Sequence, residues 1–401
     1  MVDPRERALP FGDFLFPRIF QSFRMAIQPT RLAFAFAAVA LICLTGWLMD
    51  LNRTVVVLTG PTPAAGIAET TELDVYMVSR SELRNLLGSP PPDAGRTGVF
   101  ATLRRSFAIQ CRSGNLLGCL LALVWAFTYH TLYSVVFFAV VLVVLSAAGG
   151  AICRLTALQF AHGRRLSLGE AWRFSTKRIT SLVGAPIGPL VIALLLGVPI
   201  VAFGALGNIP VVGELLTGLL LPLGLVVGPF IAVLLIGAVG GFSLLSPAIA
   251  YEDSDFFDAI SRSFSNVYAR PWRMIFYTLT AAAYGAICCL FVRFFAFLVL
   301  WVTRGFLQVG LRDEKLAAIW PAPSFGNLLG TGAAPDAWSL WLSALFIRIW
   351  VLVIIGLTIS FFVSFYFSAS TIIYALMRNR VDGTNLDEIY IAADGTAERS
   401  A

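Results

Sequence analysis

The sequence predicts an all-α fold, a polytopic transmembrane helix bundle with amphipathic elbow helices in the membrane interface. Three observations predict it. Hydrophobic residues make up 58% of the 401 positions and charged residues only 13%, about half the charged share of a soluble domain. Several uncharged stretches reach the roughly 20 residues that cross a bilayer as helix. Arginines bracket these stretches, as expected of a chain whose solvent is largely lipid.

The net charge of +6 comes almost wholly from arginine. No basic groove with interleaved aromatics is formed, so anionic lipid headgroups are the expected partners and nucleic acid is not. Cys43, Cys111, Cys119, Cys153, Cys288 and Cys289 mostly lie in or beside apolar stretches without ligand-like spacing, and read as small packing residues. With only His130 and His162 available, neither a metal centre nor another cofactor is expected.

Taken in order, residues 1–31 read as a cytoplasmic tail and elbow helix. Arg5, Arg7, Arg18, Arg24 and Arg31 precede the first span at 32–50, and no small-x-small cleavage site ends it, so it reads as uncleaved. Residues 51–113 form an extramembrane loop region. Within it, 71–87 reads as one helix, with Thr71 and Asp74 as a capping pair and Gly88 and Pro90 to Pro92 as its stop.

The second transmembrane segment falls in 114–165. Its apolar block, 115–158, is too long for one comfortable crossing and carries Tyr129, His130 and Thr131, so a tilted helix and a tight hairpin both fit. Residues 166–250 hold an elbow plus a hairpin, with spans near 180–206 and 215–245 joined by a short link containing Pro210. Residues 251–377 repeat that plan with spans near 274–303 and 340–377 around a Trp-rich outer loop, and 378–401 form a second cytoplasmic tail.

Basic residues set the orientation. Placing both ends, 154–178 and 251–273 inside leaves the 207–214 link free of Lys and Arg outside. The seven arginines of 51–113 are discordant, but long loops count less. Six helices with both termini cytoplasmic is the expectation; a seven-helix version with the N-terminus outside is the alternative.

An elbow pattern recurs. LSLGEAWRFSTKRITSLVGAPI precedes the third span and SDFFDAISRSFSNVYARPWRMI the fifth. Both run from an acidic residue through Ala, Arg and Ser to a Gly or Pro at the span's start. In the second copy Phe257, Ile260, Phe264 and Val267 share one helical face, with Arg262, Arg270 and Arg273 on the wet side. In the first, Leu168, Ala171 or Trp172, Ser175 and Ile179 do so. Weaker versions, around Phe16 to Ile27 and Phe100 to Phe107, precede the first two spans. The alternative is convergence, since any juxtamembrane helix gains by being amphipathic.

Pro247, Glu252, Asp253, Ala259, Arg262, Ser263, Phe264, Trp272 and Arg273 carry a resemblance. Residues 246–287 resemble the repeated segment of a bacterial six-helix membrane-domain superfamily that includes the membrane region of glycerophosphodiester phosphodiesterases. The match covers about a quarter of the chain clearly. In that family hydrolysis resides in a separate soluble domain, so the resemblance implies architecture and a bacterial inner-membrane location, and carries over no catalytic residue.

Arg293 and Arg348 lie inside spans, where charge is costly and marks partners or pathways. At 1.5 Å per residue both fall near the outer boundary on adjacent helices. With Arg304 they form a candidate anion or lipid site, with Glu214 available for charge balance; the alternative is that each snorkels outward, in a belt marked by Trp301, Trp338 and Trp341. Glu252, Asp253, Asp255 and Asp258 suit a divalent cation or, more simply, capping of the elbow helix by Ser254 or Asp255. His130 has no Ser or Asp partner at readable spacing, and no hydrolase elbow, P-loop or metal-ligand motif appears.

The expected function is a non-catalytic integral membrane protein, a structural or accessory subunit engaging anionic headgroups, with a membrane protein or a second copy as possible partner. The alternative is a transporter or channel using the hairpin at 184–241, where Pro186, Pro189, Pro199, Pro210, Pro222 and Pro229 could break the helices. That reading needs polar groups at mid-membrane, which the third, fourth and much of the fifth span lack.

Overall fold

The computed structural model describes residues 16–62, 66–88, 91, 94–330 and 337–390. Arg5, Arg7, Pro90 and Pro92 of the readings above lie outside them. The fold is all-α in its bulk, with six helices long and apolar enough to cross a membrane. The chain divides into two units, one of residues 1–37 and 146–401, the other of 38–145.

The smaller unit departs most from expectation. Residues 51–98 contain a three-stranded antiparallel sheet, ordered β2-β1-β3, built from β1 (Val55–Thr62), β2 (Gly66–Thr71) and β3 (Gly95–Thr97). The β-branched run Val55, Val56 and Val57 is its buried centre. Thr71 and Asp74 do form a capping box, but the single helix expected at 71–87 is two. α3 (Glu72–Val78) ends where Ser79 turns extended, and α4 (Arg80–Gly88) follows. α5 (Val99–Ser113) and the short apolar α6 (Leu116–Tyr129) pack together. Leu73, Tyr76, Leu83, Val99, Leu103, Ala122 and Trp125 close the core. The long apolar block therefore breaks at His130, and α6, at 14 residues, is too short to span.

Along the chain the pattern of elbow, span, connection, span occurs three times, where only two complete copies are expected from sequence. First come a 3₁₀ turn (Phe16–Phe20) and α1 (Gln21–Ala26), then α2 (Pro29–Met49) and, after the smaller unit's residues, α7 (Thr131–His162). Second are α8 (Leu168–Lys177), α9 (Ile179–Leu206) and α10 (Val212–Glu252). Third are α11 (Phe256–Ala269), α12 (Pro271–Gly310), α13 (Asp313–Ile319) and α14 (Trp338–Val381). The Trp-rich loop is thus shorter than expected, because α12 continues past Thr303 to Gly310.

The elbows are seated by small polar residues. Glu170, Ala171 and Ser175 correspond to Asp258, Ala259 and Ser263, and both Ala and Ser are fully buried in each. Ser175 donates to the Ala147 carbonyl on α7, and Ser263 to the Gly241 carbonyl on α10 at 2.7 Å. In the first copy the bond runs the other way round, from Ser364 on α14 to the Ala26 carbonyl at 2.8 Å. Each elbow therefore meets a second span: α8 meets α7, α11 meets α10, and α1 meets α14.

The core lies where these second spans end. Ala151 to Cys153, Leu244, Leu245, Pro247 to Tyr251, and Ser368 to Met377 are buried, and the Thr156 hydroxyl donates to Ser368 across the seam. At the other end of α9 and α10 the side chains are exposed. The six prolines within these two helices, Pro186, Pro189, Pro199, Pro222, Pro229 and Pro247, sit inside continuous helix. The breaks that the transporter alternative requires are absent there, because each proline removes a single backbone bond and the remaining ladder holds.

Two glycines are fixed by geometry. A Cβ on Gly213 would overlap the Leu206 carbonyl in the hairpin turn, and one on Gly241 would overlap the Ser263 hydroxyl. Gly228 faces open space. Gly241→Leu should therefore lower stability by about 1–3 kcal/mol through overpacking, while Gly228→Leu leaves it nearly unchanged. Thermal unfolding midpoints of the detergent-solubilised variants check this; equal midpoints would disprove the seating of the elbow on α10.

Candidate functional site: the elbow end of the bundle

The carboxylate of Glu252, at the last residue of α10, is 8% exposed. Tyr374 donates to its Oε1 at 2.7 Å, Arg262 Nε lies 2.5 Å from Oε2, and Arg378 Nε lies 3.3 Å from Oε1. One carboxylate so joins α10, α11 and α14. Asp253 follows with a left-handed backbone, φ 52°, which turns the chain sharply between α10 and α11. It accepts from Arg178 at 2.7 Å, and this bond raises the already high pKa of that guanidinium.

The carboxylates of the acidic cluster are taken up chiefly by arginines and not by capping. Asp255 occupies the N-cap position of α11 without a side-chain capping bond, and Arg178 approaches it at 3.3 Å. Asp258 pairs with Arg262 at 3.0 Å along the helix. Arginines on neighbouring elements outcompete the local backbone for these carboxylates. Capping does operate in α8, where the Ser167 backbone N–H and hydroxyl hold the Glu170 carboxyl below its usual pKa.

Buried arginines also satisfy carbonyls. Arg154 donates to Ala250 at 2.7 Å and Tyr390 at 2.9 Å, with its guanidinium over the Phe174 ring. Arg31, 1% exposed, donates to the carbonyls of Met25 and Leu155 and to the side chains of Gln28 and Gln159. The sequence reading places Arg31 in a basic tail and Arg154 in a cytoplasmic loop; both are structural bolts.

The amphipathic face of α11 is rotated from expectation. Ala259, Ile260, Ser263, Asn266 and Val267 are buried, and Phe256 packs on Gly184. Phe264 is half-buried against Gly237, whereas Phe257 is 63% exposed. The small residues Ala259 and Ser263 let α11 approach α10 closely, and that contact defines its inner face. Arg270 and Arg273 are exposed at the start of α12, and neither forms an ion pair among the described residues. Tyr268 and Trp272 are exposed near them in sequence, and Trp172 is exposed on α8.

At the other end of the third copy, Arg293 donates to the Phe325 carbonyl at 3.0 Å and lies over the Phe325 ring. Arg304 donates to the Trp320 carbonyl at 3.2 Å. Both latch the connection between α12 and α14, whose Leu316, Trp320 and Leu328 pack on Leu300 and Val351. Arg348 is exposed, and no hydrogen bond or ion pair joins it to Arg293, Arg304 or Glu214 among the described residues.

In the smaller unit His130 has partners that its sequence neighbourhood hides. Its Nε2 lies 3.3 Å from Oε2 of Glu72, which is itself 1% exposed and accepts from the Val56 N–H at 2.6 Å. Thr54 approaches Nδ1 at 3.5 Å. The partners are Glu and Thr, 58 and 76 residues away, and they tie the sheet to the turn between α6 and α7. Asp50 likewise accepts from the Phe100 and Ala101 N–H groups and from Tyr133.

Comparison with known protein families, with curated proteins and with solved structures finds no match. The geometry alone carries the functional argument.

Replacing Glu252 by Gln leaves Arg378 and Arg262 without their shared counter-charge. Because Arg262 is 42% exposed while Arg378 is 14% exposed, the loss should sit near the lower end of the buried-pair range, about 3 kcal/mol. Arg262→Gln should cost less than about 1 kcal/mol. Urea or thermal unfolding of the solubilised protein measures both, and equal losses would remove Glu252 from its central place. Separately, Arg293→Leu should speed proteolytic cleavage between 320 and 330, read by the appearance of the fragment pair on gels.

Proposed function

We propose that this multi-pass membrane protein is a non-catalytic structural or accessory subunit that engages anionic lipid headgroups through its elbow end. The observation that carries the reading is the unequal use of charge there. Glu252, Asp253, Asp255 and Asp258 are engaged by Arg178, Arg262 and Arg378. Arg24, Arg164, Arg165, Arg173, Lys177, Arg270 and Arg273 are exposed and carry no ion pair among the described residues.

Exposed Trp172, Phe257, Tyr268 and Trp272 accompany these cations. Amphipathic rings beside arginines are the composition of a membrane interface, where each basic residue near an anionic surface contributes about 1 kcal/mol. The elbow helices then lie along the headgroup layer on the cytoplasmic side, with both termini. Arg348, with exposed Trp338, Trp341 and Trp350 on the same helix, serves the opposite interface. A bacterial inner-membrane location is what the resemblance of 246–287 to the six-helix superfamily implies.

Native mass spectrometry from nanodiscs tests the reading. Wild type should retain phosphatidylglycerol over phosphatidylcholine, and a variant with Gln at Arg173, Lys177, Arg270 and Arg273 should lose most of that preference. Unchanged preference sinks it. In a cysteine-free background, a reagent confined to the outer side should label Glu314→Cys and spare Asp382→Cys; the reverse labelling inverts the orientation.

A further inference from the structure

A cavity of about 420 Å³ opens at the elbow end of the larger unit, lined by Arg18, Asn379, Asn385, Leu386, Asp387 and Glu388. Its volume falls in the range of small-molecule sites. Three separate stretches of chain supply the wall: the 3₁₀ turn before α1, the end of α14, and the tail that follows it.

The wall is held in place from behind. Arg378 donates to the Glu388 carbonyl at 2.7 Å, the Glu388 N–H donates to Asn385, and the Tyr390 N–H donates to the Tyr251 carbonyl. Asn379 donates to the Thr384 carbonyl at 2.8 Å. Leu386 and Ile389 pack on the main core. The tail is therefore a fixed strap, and the carboxylates of Asp387 and Glu388 project from a backbone that its own contacts define.

Arg18 also lines the cavity, with its guanidinium over the Phe160 ring, 5.9 Å from the centroid. It forms no hydrogen bond or ion pair among the described residues, and neither do the carboxylates of Asp387 and Glu388. A cation and two carboxylates thus share one cavity without closing on each other within 4 Å. Opposite charges that line one open pocket, all three exposed, suit a ligand that is itself a dipole of fixed charges.

We propose that this cavity binds a phosphate-plus-ammonium zwitterion of the phosphoethanolamine kind. The planar guanidinium of Arg18 presents a fork of donors to the phosphate oxygens. Asp387 and Glu388 receive the ammonium, and the Oδ1 of Asn379, whose Nδ2 donates to the Thr384 carbonyl, supplies a further acceptor. The same chemistry arrives as a free phosphoamine or as the headgroup of phosphatidylethanolamine. The lipid source rests on the reading that the elbow end lies at headgroup level; the soluble source does not.

Calorimetric titration of the full chain in an uncharged maltoside, with free phosphoethanolamine, inorganic phosphate and ethanolamine as separate probes, tests the cavity itself. Saturable binding is expected for the zwitterion, at least about tenfold tighter than for either half. Arg18→Gln and the pair Asp387→Asn with Glu388→Gln should each weaken it by a similar factor. These side chains are peripheral to the core, and an unchanged unfolding midpoint confirms the variants as folded. Nanodisc lipid retention then assigns the source: an Arg18-dependent preference for phosphatidylethanolamine over phosphatidylglycerol indicates the lipid, and equal retention beside tight soluble binding indicates the free phosphoamine. Absence of saturable heat with the zwitterion, or binding no tighter than that of ethanolamine or phosphate alone, overturns the proposal. Neither result bears on the phosphatidylglycerol preference that tests the elbow arginines.

Discussion

A helix surrounded by hydrocarbon gains nothing from hiding its apolar side chains against another helix, so the larger unit depends on hydroxyls and guanidinium groups that reach backbone carbonyls across helix seams. Interhelical hydrogen bonds in membranes contribute about 0.6 kcal/mol on average, too little for any one of them to fix an architecture. Their effect comes from where they fall. Ser175, Ser263 and Ser364 each join an elbow to a second span, and each bond requires backbones close enough that Ala or Gly must line the seam. Close approach supplies dispersion contacts along the whole seam, and the hydroxyl sets its register.

The same constraint explains why order is concentrated at one end. Where α7, α10 and α14 finish, Arg154, Tyr374, Arg262 and Arg378 converge on carbonyls and on Glu252, and the side chains between them are buried. Toward the turn between α9 and α10 the Thr217 hydroxyl near the Phe203 carbonyl is the one such contact among the described residues, and most side chains there are exposed. In water an apolar hairpin of this length would be driven onto the rest of the fold. In lipid it has no such drive, and its tight turn at Gly213 and Thr217 suffices to hold the two helices together.

The spans were legible because length and apolarity are properties of single segments, and 180–206 matches Ile179–Leu206 almost residue for residue. The capping pair at Thr71 was legible for the same reason: its two members lie three residues apart. What lay beyond the sequence depends on distant partners. Val55 to Val57 carries a strand signal, but its pairing with 66–71 and 95–97 is not written locally. Phe257 and Phe264 satisfy a helical period, yet α11 turns its Ala259 and Ser263 face inward, because backbone approach outweighs aromatic burial where the surroundings are themselves apolar. Glu72 sits 58 residues from His130, and no spacing rule connects them. Arg293 and Arg348 were matched by depth along their helices, a quantity that says nothing about the loop carbonyls Arg293 reaches.

Arginine count is therefore a poor measure of headgroup contact in a chain like this one, and the structure supplies the missing distinction. Guanidinium groups near a carbonyl left open by a helix end or a loop are drawn inward: Arg31, Arg154, Arg293 and Arg304 serve backbone. Those facing the turn after α10 meet carboxylates that precede an elbow helix, and Arg178, Arg262 and Arg378 are neutralised there. Among the described residues, Arg173 on the outer face of an elbow and Arg270 and Arg273 at the start of a span escape both fates, as do Arg164 and Arg165 in the loop before α8. The net positive charge of the chain is thus sorted by topology. Inward arginines tie the elbow end together through carbonyls and carboxylates, and the remaining ones stay exposed at its surface.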